Sequence, residues 1–85
     1  MPQAKALAQV TSSPTAAGAN RALAALRRLM PAPLTGVVEP ATVNGAKVYR
    51  ANVGGFASLA DARAFCATVA AVTKTCWAHP VARKG

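Results

Sequence analysis

Trp77, Arg50, Asn52, Gln9, Thr11 and Ser12 are the side chains of this sequence whose types combine into a recognisable chemistry. An indole stacks on the flat apolar face of a sugar ring or on a nucleobase. Amides and hydroxyls fix hydroxyl or acetamido groups, and a guanidinium pairs with a carboxylate or phosphate. The combination suits the binding of a polymer. Catalysis has less to work with. Asp61 is expected to cap a helix, Glu39 to face Arg50, and His79 stands alone near the C-terminus. There is no second acid, no Ser-His-Asp set and no metal set. Two cysteines and one histidine are too few for a structural zinc site. Gly54-Gly55 lacks the spaced glycines and the lysine of a phosphate-binding loop. The chain is therefore expected to be neither an enzyme nor the carrier of a cofactor or metal.

These groups belong to one surface only if strands present them. Residues 48–53, VYRANV, read as a strand with Tyr49, Ala51 and Val53 on one face and Val48, Arg50 and Asn52 on the other. Gly54-Gly55 ends it. Ser58 followed by Asp61 is a capping box, and Ala62, Phe65, Cys66, Val69 and Val72 then recur at helical spacing over about 59–72. Upstream, residues 5–11 predict a short strand with Ala8 and Val10 on one side and Gln9 and Thr11 on the other, although Ala, Lys, Leu and Gln also tolerate a helix at its boundary. Ser12 or Ser13 is expected to cap the next helix, with Pro14 in its first turn. Ala19, Ala22, Leu23, Leu26, Leu29 and Met30 give that helix its apolar stripe, and Pro31 and Pro33 stop it. Residues 36–43 predict a strand that Pro40 assigns to a sheet edge. Asn44-Gly45 is the strongest turn signal; a two-residue hairpin there sets Val43 opposite Ala46, Ala41 opposite Val48 and Glu39 opposite Arg50, an expected cross-strand ion pair. A last strand is expected over 75–78.

The order strand, helix, strand, strand, helix, strand makes an α+β fold: a four-stranded antiparallel sheet with two helices on one face, in the β-α-β-β-α-β arrangement shared by ferredoxin-like and RNA-recognition (RNP-like) domains. The other face is left open. If Cys76 points toward the helices to meet Cys66, then Thr75 and Trp77 point to the open face. Alternation adds Arg50, Asn52, Gln9 and Thr11, with Ser12 at the rim. The alternative for Trp77 is that it only covers the sheet surface near Val48.

The chain has 85 residues and a formal charge of +8, with Glu39 and Asp61 its only acids. So small a domain has a marginal core and often needs a staple or a partner. The charge favours anionic partners: nucleic acid, acidic lipid headgroups or an anionic wall polymer. No apolar run approaches the length of a membrane span, so no membrane insertion is expected. The opening residues MPQAKALAQV lack a signal-peptide core, so an exported chain of this sequence is expected to be an excised or processed piece. Residues 5–79 are expected to form the domain, with 1–4 and 80–85 as flexible tails and a monomer as the isolated state. The two cysteines are either a disulfide or two free thiols.

On these residues the chain resembles the SPOR domain, a sporulation-related module of bacterial cell-envelope proteins. That family's hallmark is a strand reading roughly Tyr-Arg-Val-x-Val-Gly-x-Phe, followed by a helix with spaced alanines and a short strand. Tyr49, Arg50, Val53, Gly54 and Phe56 stand at those positions, and residues 62–65 follow suit. Gln9, Val10, Thr11 and Ser12 are similar to the first strand, and Cys66 and Cys76 to the paired cysteines of many members. The resemblance covers about residues 8–78. It implies binding of septal peptidoglycan, favouring glycan strands stripped of stem peptides, on the open sheet face. Gln9 and Ser12 match the polar binding residues of the first strand, and Trp77 the aromatic position of the last. It also implies a Cys66–Cys76 disulfide, worth roughly 2–3 kcal/mol by chain entropy, and with it the periplasm or cell envelope, at the division septum. There are three departures: Ser13 replaces an aromatic, Gly55 a common proline, and Thr73 a glycine before the last strand. The Tyr-Arg-Ala stretch followed by Gly-Gly-Phe is also similar to tail domains of alphaproteobacterial envelope enzymes, including D-alanyl-D-alanine carboxypeptidases; that similarity implies that catalysis belongs to a separate fused domain, for example a carboxypeptidase or amidase.

Two other functions compete. Single-stranded nucleic-acid binding would use the same fold and charge, but needs aromatics on the central strands. A protein-interaction domain would dock a partner strand along the Pro40 edge, and predicts an apolar groove there.

Overall fold

The computed structural model describes residues 6–81. Four strands, β1 (Ala6–Ser13), β2 (Thr35–Val43), β3 (Ala46–Phe56) and β4 (Trp77–Pro80), form one antiparallel sheet in the order β2-β3-β1-β4. Helices α1 (Ala16–Ala25) and α2 (Leu59–Val69) link β1 to β2 and β3 to β4. Both helices pack on one face of the sheet, over a core that includes Ala6, Ala8 and Val10 of β1 and Ala51 and Val53 of β3. Leu26, Ala19, Ala62, Phe65 and Val69 complete that core, and Phe65 meets Phe56 with ring centroids 5.3 Å apart. The molecule measures 36 × 35 × 19 Å. The short dimension holds one sheet and one helical layer, so the second sheet face has no cover of its own.

The hairpin forms in the expected register, with Val43 opposite Ala46, Ala41 opposite Val48 and Glu39 opposite Arg50. Asn44 and Gly45 both take positive φ, 52° and 81°, as a turn matched to strand twist requires. The Ser58 hydroxyl accepts the Asp61 N–H at 3.1 Å, which starts α2. Several boundaries differ from expectation. The cap of α1 is Thr15, whose Oγ1 accepts the Gly18 N–H at 3.0 Å, and β1 continues through Ser12 and Ser13 instead of ending before them. Helix α2 stops at Val69, which leaves Val72 exposed and outside the core. The last strand begins at Trp77, two residues later than expected, because residues 70–76 are spent on a turn and on the disulfide loop.

The three departures have local explanations. Thr73 does not adopt a left-handed backbone; the Val72 and Thr73 N–H groups both close onto the Val69 carbonyl, at 2.8 and 2.9 Å. Ser13 is matched by Gly18: a Cβ on Gly18 would lie 2.2 Å from Ser13 Oγ, so a small pair brings α1 down onto the strand where a larger one would hold it off. Gly55 has φ +107°, and a Cβ there would sit 2.6 Å from the Pro33 carbonyl oxygen. Proline, with φ near −65°, is excluded from such a position. Gly55→Ala is therefore expected to lower stability by about 2–4 kcal/mol, read as a lower midpoint in urea at unchanged slope. A midpoint within error of the parent chain would show that Pro33 moves freely.

Candidate functional site: the open face of the sheet

Cross-strand register assembles the open face in rows. In one row Val37 opposes Asn52, Asn52 opposes Gln9, and Gln9 opposes Trp77. In the next, Glu39 opposes Arg50 and Arg50 opposes Ser12. Strands lie about 4.8 Å apart, so Asn52, Gln9 and Trp77 span about 10 Å.

A bulge decides which β1 residues join these rows. Gln9 pairs with Asn52 but Thr11 pairs with Ala51, so Val10 is the extra residue. Beyond it the strand is re-phased. Ser12 takes the place opposite Arg50 that unbroken alternation assigned to Thr11. Thr11 instead opposes Ala51, a core residue on the helix side. The Val10 carbonyl accepts from the Thr73 hydroxyl at 3.2 Å and also from the Thr75 hydroxyl. Both threonines belong to the segment that leads into β4. Cys76 in the same segment is bonded to Cys66 of α2, Cα to Cα 5.3 Å. The disulfide and the threonine clamp together fix where β4 begins, and so where Trp77 stands.

Trp77 is 62% exposed and stacks on His79, with ring centroids 4.8 Å apart and planes at 27°. It does not cover Val48, which lies on β3 with β1 in between. Arg50 is exposed. Its expected ion pair with Glu39 is not made, although the register is right: Glu39 Oε1 accepts from Asn52 Nδ2 at 2.5 Å. The amide is nearer in role as well as in space, because Asn52 is buried, 4% exposed, and needs a partner. Asn52 thus holds Glu39 from beneath the face, and Arg50 keeps its guanidinium for other anions.

Two residues of this surface are not among the candidates drawn from the sequence. His79 opposes Leu7 in the β1–β4 ladder, and the Leu7 side chain lies over Gly54, where a Cβ would meet it at 3.1 Å. Leu7, His79 and Trp77 make an apolar and aromatic strip beside the polar rows. The signal is the two-residue spacing of Trp77 and His79, which puts both on one face because β4 runs over Trp77–Pro80 and not over 75–78. The His79 Nδ1 lies 3.3 Å from the Pro80 carbonyl. Asn52 Oδ1 and His79 Nε2 are buried with no partner among the described residues.

Among the described residues no group of acids, histidines and cysteines is arranged to hold a metal ion, and no helix is long and apolar enough to cross a membrane. The sequence matches the family model of the SPOR domain over residues 3–78. No curated protein and no solved structure matches it. With the family's strand-helix order, its paired cysteines joined, and its match running over nearly the whole chain, this protein belongs to the SPOR domain family, whose members bind peptidoglycan in cell division.

Proposed function

We propose that the open face binds glycan strands of peptidoglycan that lack stem peptides, and so brings an envelope or division protein to the septal wall in the periplasm. The observation that carries this is the row in which Gln9 stands opposite an exposed Trp77. Trp77 stacks on a sugar ring. Gln9 and Ser12 bond its hydroxyl and acetamido groups. Arg50 pairs with the lactyl carboxylate that a stem peptide would otherwise cap. Thr11, set back by the bulge, supports the strand and touches the ligand least. Any catalytic activity belongs to another domain.

The nucleic-acid reading fares worse on this face. Its central strands β1 and β3 present Gln9, Ser12, Arg50 and Asn52, while Tyr49 packs with the core on the helix side.

Trp77 is the chain's one tryptophan, so its fluorescence reports on this face alone. Titration with amidase-released glycan strands is expected to change that emission saturably, with little response to single-stranded DNA. Saturation by the DNA and silence with the glycan would overturn the proposal.

A further inference from the structure

Opposite in space to this face, on the helix side, a cavity of about 310 Å³ opens beside the start of β2. Its walls include Leu23 of α1, Arg27, Met30, Leu34, and the first two residues of the strand, Thr35 and Gly36. Leu23, Met30 and Leu34 are only partly buried against the core, so each keeps apolar surface for the cavity. Gly36 keeps it open: it points to the helix side opposite Val53, and a Cβ there would press on Leu23 Cδ1 at 3.0 Å.

The cavity adjoins a free sheet edge. Strand β2 pairs with β3 alone, and its outer backbone groups form a nine-residue row that no other strand of the sheet meets. Such a row accepts an added strand, whose alternate side chains would fall on the helix side, over the cavity. Pro40 supplies no N–H and marks where regular pairing ends. The uninterrupted stretch is residues 35–39, the part beside the cavity.

Charge selects the occupant. Arg27 lines the cavity, and Arg21 and Arg28 stand exposed on the same segment. Residues 16–38 contain no acid. The nearest one in sequence, Glu39, is held by Asn52 on the other face. A second copy of this chain would bring the same three arginines against these three. We infer that this edge and cavity dock an extended acidic peptide segment of a partner protein, with an apolar side chain seated against Leu23 and Leu34 and a carboxylate on Arg27. The site lies on the other side of the sheet from Trp77, so wall and partner are held at once. The inference does not depend on which polymer the open face binds.

The test uses the full 85-residue chain, ¹⁵N-labelled, and two synthetic peptides: acetyl-Asp-Leu-Thr-Leu-Glu-Ile-amide and its counterpart with lysine at both acidic positions. The acidic peptide is expected to shift the amides of Thr35, Gly36, Val37 and Val38 saturably and to leave the Trp77 indole N–H in place. The lysine peptide should bind at least about tenfold more weakly, and Arg27→Glu, at an exposed position, should weaken the acidic peptide by about tenfold. Three results would each overturn the inference. One is no saturable shift at residues 35–38. Another is equal response to both peptides. The third is a concentration-dependent shift of those amides without peptide, which would assign the edge to a second copy.

Discussion

Trp77→Ala is expected to weaken retention on peptidoglycan by about thirtyfold or more while leaving the domain folded. The indole is 62% exposed, so its removal takes little from the core; exposed substitutions of this kind usually change stability by about 0.5 kcal/mol or less. A buried aromatic anchor at a binding surface is worth about 2 kcal/mol or more, which corresponds to about thirtyfold in affinity. Trp77 becomes such an anchor only when a sugar ring covers it. The two readouts therefore separate: the urea midpoint should stay and the bound fraction should fall. His79 loses its stacking partner in the same variant, so part of the loss is the disordering of that ring. Unchanged retention with an unchanged midpoint would mean that the ligand lies elsewhere on the domain.

The double substitution Cys66→Ser, Cys76→Ser is expected to cost about 2–3 kcal/mol of stability, from the entropy regained by a loop whose ends are 10 residues apart in sequence. That is a large share of the stability of a domain this size, of the order of 5–10 kcal/mol. The effect should not stop at stability. The loop between the cysteines carries Thr73 and Thr75, which clamp the Val10 carbonyl at the bulge. Loosening it releases the β4 end of the site and the phase of β1 together, so Trp77 and Ser12 lose their common surface. Glycan retention should fall further than the unfolded fraction alone explains, and dithiothreitol should reproduce the effect in the parent chain. A double variant with the parent's urea midpoint and the parent's retention would remove the disulfide from the account.

How much of this was legible in the sequence follows from how local each signal is. The hairpin register was readable to the residue because Asn44-Gly45 admits one turn and the pairing follows from it. The two faces of β3 were readable from spacing, since Tyr49, Ala51 and Val53 mark the dry side, and the helix stripes were readable as far as Leu26 and Val69; Leu29 and Met30 lie beyond α1, and Val72 beyond α2 is exposed. The bulge was not. Nothing in the string Gln9-Val10-Thr11-Ser12 announces an extra residue. Its carbonyl is satisfied by hydroxyls more than sixty positions away. Thus Gln9 and Ser12 share the face, three residues apart, where alternation paired Gln9 with Thr11. The cap of α1 was misplaced for a related reason: Ser12, Ser13 and Thr15 are all good caps, and only the length of β1 chooses among them. The Glu39–Arg50 pair does not form because burial outweighs charge there: Asn52, shut in beneath the face, has the stronger claim on that carboxylate. The cavity on the helix side lies at the start of β2, between α1 and Thr35-Gly36, and is not the apolar groove along Pro40 that the rival reading expects. The cavity and the polar face lie on opposite sides of one sheet, and neither excludes the other.

Co-sedimentation with murein sacculi tests the assignment of the open face most directly. The chain is expected to pellet with amidase-treated sacculi well above its level with intact ones, to be released in part by moderate salt through the Arg50 contact, and to prefer the treated wall over single-stranded DNA as competitor. Failure to pellet with treated sacculi, together with tight and sequence-tolerant capture by the DNA, would contradict it.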